Sequence, residues 1–150
     1  MKNLSVAFCL SFLTLTTSAQ GSSQSDILRR AEVMPVYKEC TDERFAEAPY
    51  PCTMKQLTDY FMKEVVFDNP TSVTKCVLTL VVEKDGSVSD IKMARGVVVA
   101  SSDPQAKEQL EDKINTAIID KAKELKFLSP AYQNGEKVRV RMQFSASVRY

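Results

Sequence analysis

Four cysteines and no histidine set the chemical limits of this 150-residue chain. Without histidine there is no Ser–His or Cys–His couple to activate a nucleophile and no imidazole to hold a metal. Cys76 is the thiol to weigh as a nucleophile, because Cys9 falls in an apolar leader and Cys40 and Cys52 share a segment rich in proline and charge. No base stands beside Cys76 in sequence. It opens an apolar run, CVLTL, where a small thiol suits the inner face of a sheet, so a buried structural residue is the better reading. Neighbouring carboxylates, Glu111 with Asp112 and Asp42 with Glu43, lie in charged stretches, and adjacent positions on a helix do not face the same way. That is not the geometry of a catalytic acid pair. Four glycines leave no phosphate-cradling loop. The chain therefore reads as no enzyme, with no cofactor and no metal. Twenty basic residues against nineteen acidic ones also lack the surplus of a nucleic-acid partner.

The chemistry that remains belongs to the main chain. From Val138 onward apolar and polar residues alternate to the end: Val138, Val140, Met142, Phe144, Ala146, Val148 and Tyr150 face one way, and Arg139, Arg141, Gln143, Ser145, Ser147 and Arg149 the other. At about 3.3 Å per residue this strand reaches roughly 43 Å, longer than either strand of the hairpin upstream. Some of its backbone then lacks a partner within the hairpin, or the strand bends away. An open edge binds an extended peptide through main-chain hydrogen bonds. Arg139 and Arg141 would meet acidic residues of such a peptide. Alternatively, they blunt a solvated edge against aggregation.

The elements that position this strand can be read in turn. Residues 76–96, CVLTLVVEKDGSVSDIKMARG, form a hairpin whose Asp85-Gly86 suits a two-residue type I′ turn. That register sets Lys84 against Ser87, Leu80 against Ile91 and Leu78 against Met93, gathering Leu78, Leu80, Val82, Ile91 and Met93 on one face. Before it, Thr53 and Gln56 make a capping-box pattern, followed by Met54, Leu57, Phe61 and Val65 at helical spacing up to Asn69-Pro70. After it, Asp103-Pro104 starts a second helix with Leu110, Ile114, Ala117, Ile118, Ala122 and Leu125 on one stripe. Ser129-Pro130 and Asn134-Gly135 mark a loop. The order helix, strand, strand, helix, strand predicts an α+β fold of two layers, a small antiparallel three-stranded sheet with both helices on one face.

The N-terminus reads as an export signal. Lys2, an uncharged apolar stretch of about a dozen residues and Thr17-Ser18-Ala19 fit a signal peptide over residues 1–19, too short for the roughly 20-residue span of a membrane helix. An uncleaved anchor is the weaker alternative. Residues 20–37 follow as a polar leader and an extended arm lying on the domain, where Pro35 forbids a central strand. Residues 38–150 are the domain, with a Cys loop at 38–52. In an oxidising compartment Cys40 pairs with Cys52 and Cys76 is left over. Closing a loop of this size stabilises by about 3 kcal/mol in the chain-entropy treatment.

In this order the chain resembles the C-terminal periplasmic domain of TonB in its stand-alone exported form. The resemblance rests on AEVMPVYKEC (residues 31–40) as the Met-Pro-aromatic lead-in and LTDYFMKEVVFDNP (57–70) as the first helix and its corner. VVEKDGSVSDIKMARGV (81–97) matches the hairpin, and SPAYQNGEKVRVRMQFSASVRY (129–150) the proline loop and last strand. Thr71 to Lys75 is shorter than the family's link and lacks its Ala and Gly, and Pro130-Ala131 stands where the family has Pro-Gly. The resemblance implies a periplasmic module that binds the TonB-box segment of outer-membrane TonB-dependent receptors by strand addition, in energy-coupled transport, and it puts the peptide-binding edge on Val138, Arg139, Val140, Arg141, Met142, Gln143 and Phe144. No spanning anchor or Pro-rich spacer is evident, so an inner-membrane motor would be reached only through another, anchored protein. A homodimer through the same edge is the competing expectation.

Overall fold

The computed structural model describes residues 26–38, 40, 49–68 and 70–150. The expected signal peptide, the start of the leader and most of the Cys loop lie outside the described residues. Alternating sequence makes the two longest strands: β3 (Val73–Val82) buries Thr74, Cys76, Leu78, Leu80 and Val82, and β7 (Glu136–Arg149) buries Val140, Met142, Phe144, Ala146 and Val148. They pair antiparallel without a break from Val73↔Arg149 to Val82↔Val140. β4 (Val88–Arg95) completes the hairpin with β3.

Two helices cover this sheet. α1 (Pro49–Glu64) presents Leu57 and Phe61, and α2 (Pro104–Lys123) presents Ile114, Ile118 and Ala122. All join one buried cluster with the inward residues of β3 and β7, so both helices lie on the same face. Asp103 caps α2 as its sequence requires, its carboxylate accepting from the N–H groups of Gln105 and Ala106. α1 departs from expectation. It begins at Pro49, a full turn before the capping-box pattern, because Pro49 and Pro51 sit in a first turn whose N–H groups need no helical partner. Thr53 is consequently inside the helix and fully buried. Tyr60 Oη donates to the Lys121 carbonyl at 3.2 Å, tying α1 to α2.

The fold is α+β, and the sheet is larger than the three strands expected. β1 (Ile27–Leu28) joins β7 in parallel and β6 (Ala131–Gln133) joins it antiparallel, giving five strands. A separate pair unites β2 (Val36–Tyr37) with β5 (Phe127–Ser129). Short strands of two or three residues carry too little periodicity to stand out in sequence.

The turns also exchange roles. At the β3–β4 hairpin Gly86 N–H donates to Glu83 O (3.0 Å) and Glu83 N–H to Ser87 O (2.8 Å), a three-residue loop with Gly86 at φ +82°. Asp85 keeps negative φ, so the two-residue type I′ turn expected there does not form. Instead Gly86 O accepts from Phe127 N–H at 2.8 Å, holding the turn against β5. Leu78↔Met93 pairs as expected, but Asp90, at φ +44°, bulges β4. Leu80 therefore stands opposite both Asp90 and Ile91 rather than Ile91 alone, and Val82 pairs with Val88. The two-residue turn occurs at Asn134-Gly135, both with positive φ, between Gln133 and Glu136.

Candidate functional site

The candidate edge is built by the phase of the β3–β7 ladder. Ser72 N–H donates to Tyr150 O (3.0 Å) and Tyr150 N–H to Ser72 O (2.9 Å), a reciprocal bonded pair. Bonded and non-bonded pairs alternate along an antiparallel ladder. Over the continuous register that follows, Arg141, Gln143, Ser145, Ser147 and Arg149 therefore aim their N–H and C=O away from β3. Thr58 Oγ1 of α1 lies 3.0 Å from Ser145 O, as this phase requires.

Much of the edge expected to be open is occupied. Val138 pairs with Ala131 of β6, which by the same phase continues the β3 side of β7, and on the outer side Arg139 and Val140 pair with Ile27 and Leu28 of the arm. In a parallel ladder of that register the outward groups of Arg139 and the N–H of Arg141 are used by Asp26 and Leu28. What remains before Thr58 is the Arg141 carbonyl and both backbone groups of Gln143. Among the described residues no strand pairs with them. The physical reason is that the arm, broken at Pro35, has no ladder of its own and satisfies its backbone on β7.

The side chains along this stretch divide sharply. Val140, Met142 and Phe144 are core residues, and Phe61 and Phe144 rings approach to 6.0 Å. The two arginines are engaged internally rather than awaiting an acidic partner. Arg139 binds Glu83 through Nε (2.7 Å) and Nη2 (2.9 Å), and Arg141 Nη2 meets Asp90 Oδ2 at 2.7 Å. Glu83 also accepts the Ser89 hydroxyl, and Asp90 meets Lys92 Nζ at 2.7 Å. The Arg139 guanidinium, aided by Ser89, holds the Glu83 carboxyl below its usual range. Lys92, then Arg141 and Arg139, do the same for Asp90. These pairs roof Val81, which is fully buried between its partners Arg141 and Ser89.

Beside the open backbone lies a groove of about 540 Å³ lined by Arg29, Met34, Tyr50, Thr79, Arg141, Met142 and Gln143. It runs from the arm to the start of α1, beside backbone groups of β7 that no strand among the described residues pairs with. Arg29, Met34, Tyr50 and Thr58 had no signal in sequence: each belongs to another element and reaches the edge only through tertiary folding.

Two cysteines and a thiol complete the picture. Cys40 and Cys52 are bonded, with Cα atoms 5.7 Å apart, which ties the end of the arm to the first turn of α1. Cys76 is fully buried, and burial pushes its thiol pKa up, away from the thiolate a nucleophile needs. Among the described residues no group of three acidic or cysteine side chains could hold a metal ion. No helix of the described residues is long and apolar enough to cross a membrane.

Comparison with family models, with curated proteins and with solved structures returns no match.

Proposed function

We propose that the chain is a periplasmic binding module of the TonB C-terminal type, exported by residues 1–19. It takes an extended, TonB-box-like segment of an outer-membrane TonB-dependent receptor as an added strand on the outer side of β7. The observation that carries the reading is the backbone from the Arg141 carbonyl through Gln143, with which no strand among the described residues pairs, beside a groove of about 540 Å³. The order α1, β3, β4, α2, β7 supports it as well, being the order in which the resemblance lists its elements. Coupling to an inner-membrane motor would run through another, anchored protein.

Titration of a TonB-box peptide into the isotopically labelled mature chain tests the proposal. Amide shifts centred on Arg141, Gln143 and Ser145 are expected, and none across residues 139–145 removes it. Pairing of two copies through the same edge would instead move those amides without peptide and make sedimentation depend on concentration.

A further inference from the structure

The arm does more than end on the sheet. Ile27 and Leu28 run parallel to β7 and complete its edge as an added strand. Leu28 pairs with Val140 on the inward face and packs on the core, while Ile27 pairs with Arg139 on the polar face. Asp26, two residues before Leu28, lies within electrostatic reach of the Arg139 guanidinium. Past Leu28 the chain leaves the edge, and Arg29 turns to line the groove. A second hold follows downstream. Glu32 accepts from Asn134 N–H at 2.9 Å, and Val33 and Tyr132 exchange backbone bonds of 3.0 and 2.9 Å.

The two holds are unequal. The second includes a reciprocal backbone pair, a carboxylate at the Asn134-Gly135 turn, and Ala31, which is buried. The first is a strand of two residues, both only half-buried, and a two-residue strand adds few hydrogen bonds to offset the backbone entropy of ordering it. Residues 26–28 can therefore leave β7 while residues 31–37 stay docked.

Resting on the reading above, we infer that the segment Asp26-Ile27-Leu28 is a ligand in cis for the edge it covers. A partner segment that replaces it runs parallel to β7 and carries an acidic residue two positions before an aliphatic one. The arm thus sets both the chemistry and the threshold of recruitment. A partner gains the outward groups of Arg139 and the Arg141 N–H, as well as the Arg141 carbonyl and Gln143, only by displacing it, and its apparent affinity is reduced by the fraction of molecules in which the arm is bound.

The test uses the mature chain and a blocked peptide of residues 26–30, DILRR. By the ladder geometry Leu28 N–H donates to the Arg139 carbonyl, so Leu28→Pro removes that bond. Leu28→Asp keeps the N–H and sets a charge against the core. Both variants are expected to bind the peptide about tenfold more tightly than the unaltered chain, the change expected when the open form rises from about a tenth to nearly all molecules. The shifts should fall on the Arg139, Val140 and Arg141 amides, with those of Leu78 and Leu80 unmoved. A peptide with Asp replaced by Asn, or Leu by Ser, should bind more weakly. Equal affinity in all three proteins, or shifts away from residues 139–141, overturns the inference. If the receptor peptide moves Gln143 in the unaltered chain while DILRR binds no variant, only this inference fails. If DILRR binds the variants while no receptor peptide binds, the receptor reading fails and the cis ligand stands.

Discussion

The hydroxyl of Thr53, inside α1, accepts the backbone N–H of Tyr37 at 3.1 Å, and both residues are buried. This one bond anchors the C-terminal end of the arm, because Tyr37 also packs edge-on against Tyr60 and Phe127, with ring centroids 6.4 and 5.9 Å away. The arm is thus held from both directions, by α1 below Tyr37 and by the disulfide three residues further on. A peptide that displaced β1 would leave these contacts at the other end of the arm in place.

Thr53→Val should therefore lower stability by about 1–3 kcal/mol, the cost of leaving a buried N–H without a partner. Thr53→Ser, which keeps the oxygen, should recover most of the loss. Urea denaturation of the three proteins measures it. A Val midpoint above a lowered Ser midpoint would show that the methyl group, not the bond, matters.

The same threonine shows where sequence reading succeeds and where it stops. Thr53 with Gln56 has the letters of a helix start, yet local letters do not say which of several permitted first turns the tertiary structure selects. Long periodic runs were legible: the inward faces of β3, β7 and α2 follow from alternation or helical spacing, and Asp103-Pro104 marks its helix start by local chemistry alone. The turn types were not, because Asp85-Gly86 satisfies both a two-residue and a three-residue loop, and contact with β5 favours the latter. The edge was legible in place and not in extent. That the arm would occupy Arg139 and Val140 depends on pairing between segments 112 residues apart in sequence, which no local pattern encodes.

The two turn glycines separate conformational strain from contact. Gly86 and Gly135 both have positive φ, +82° and +77°. A Cβ at Gly86 would lie 2.5 Å from the Phe127 carbonyl oxygen, whereas one at Gly135 meets nothing within 4 Å. Gly135→Ala should cost about 1–2 kcal/mol from left-handed strain alone. Gly86→Ala should cost clearly more, because β5 must also shift. Thermal denaturation of both variants decides it, and an equal loss would show that the β5 contact yields without cost.

Reduction should expose a difference among the thiols. Breaking Cys40–Cys52, which spans 12 residues, is expected to remove about 3 kcal/mol in the chain-entropy treatment. The two released thiols should react with a maleimide before Cys76 does, because Cys76 is fully buried and its thiol is held protonated by that burial. Mass spectrometry over time gives the order. Early labelling of Cys76 in the native, oxidised chain would contradict the packing of β3 against β7.

The ion pair between Glu83 and Arg139 makes stability depend on pH in a defined direction. Glu83 is held below its ordinary value of 4.5, first by the Arg139 hydrogen bonds and also by Ser89, so the folded form binds its proton less readily than the unfolded chain does. For a carboxylate lowered in this way, the stabilisation is complete above the unfolded value and is lost as pH falls through the folded one. Glu83→Gln has no such carboxylate at any pH. The variant should therefore melt below the unaltered chain at pH 7, and the gap should narrow as pH falls beneath 4.5. Asp85 and Asp90 are also lowered, but both proteins share them, so the difference between the two melting curves isolates Glu83. Added salt should shrink the gap only modestly, since the Arg139 and Glu83 side chains are 18% and 24% exposed and screening acts chiefly on open pairs. A gap that is constant from pH 7 to pH 3 would mean that Glu83 acts by shape in the β3–β4 turn, and that its charge contributes nothing to holding Arg139 beneath the arm.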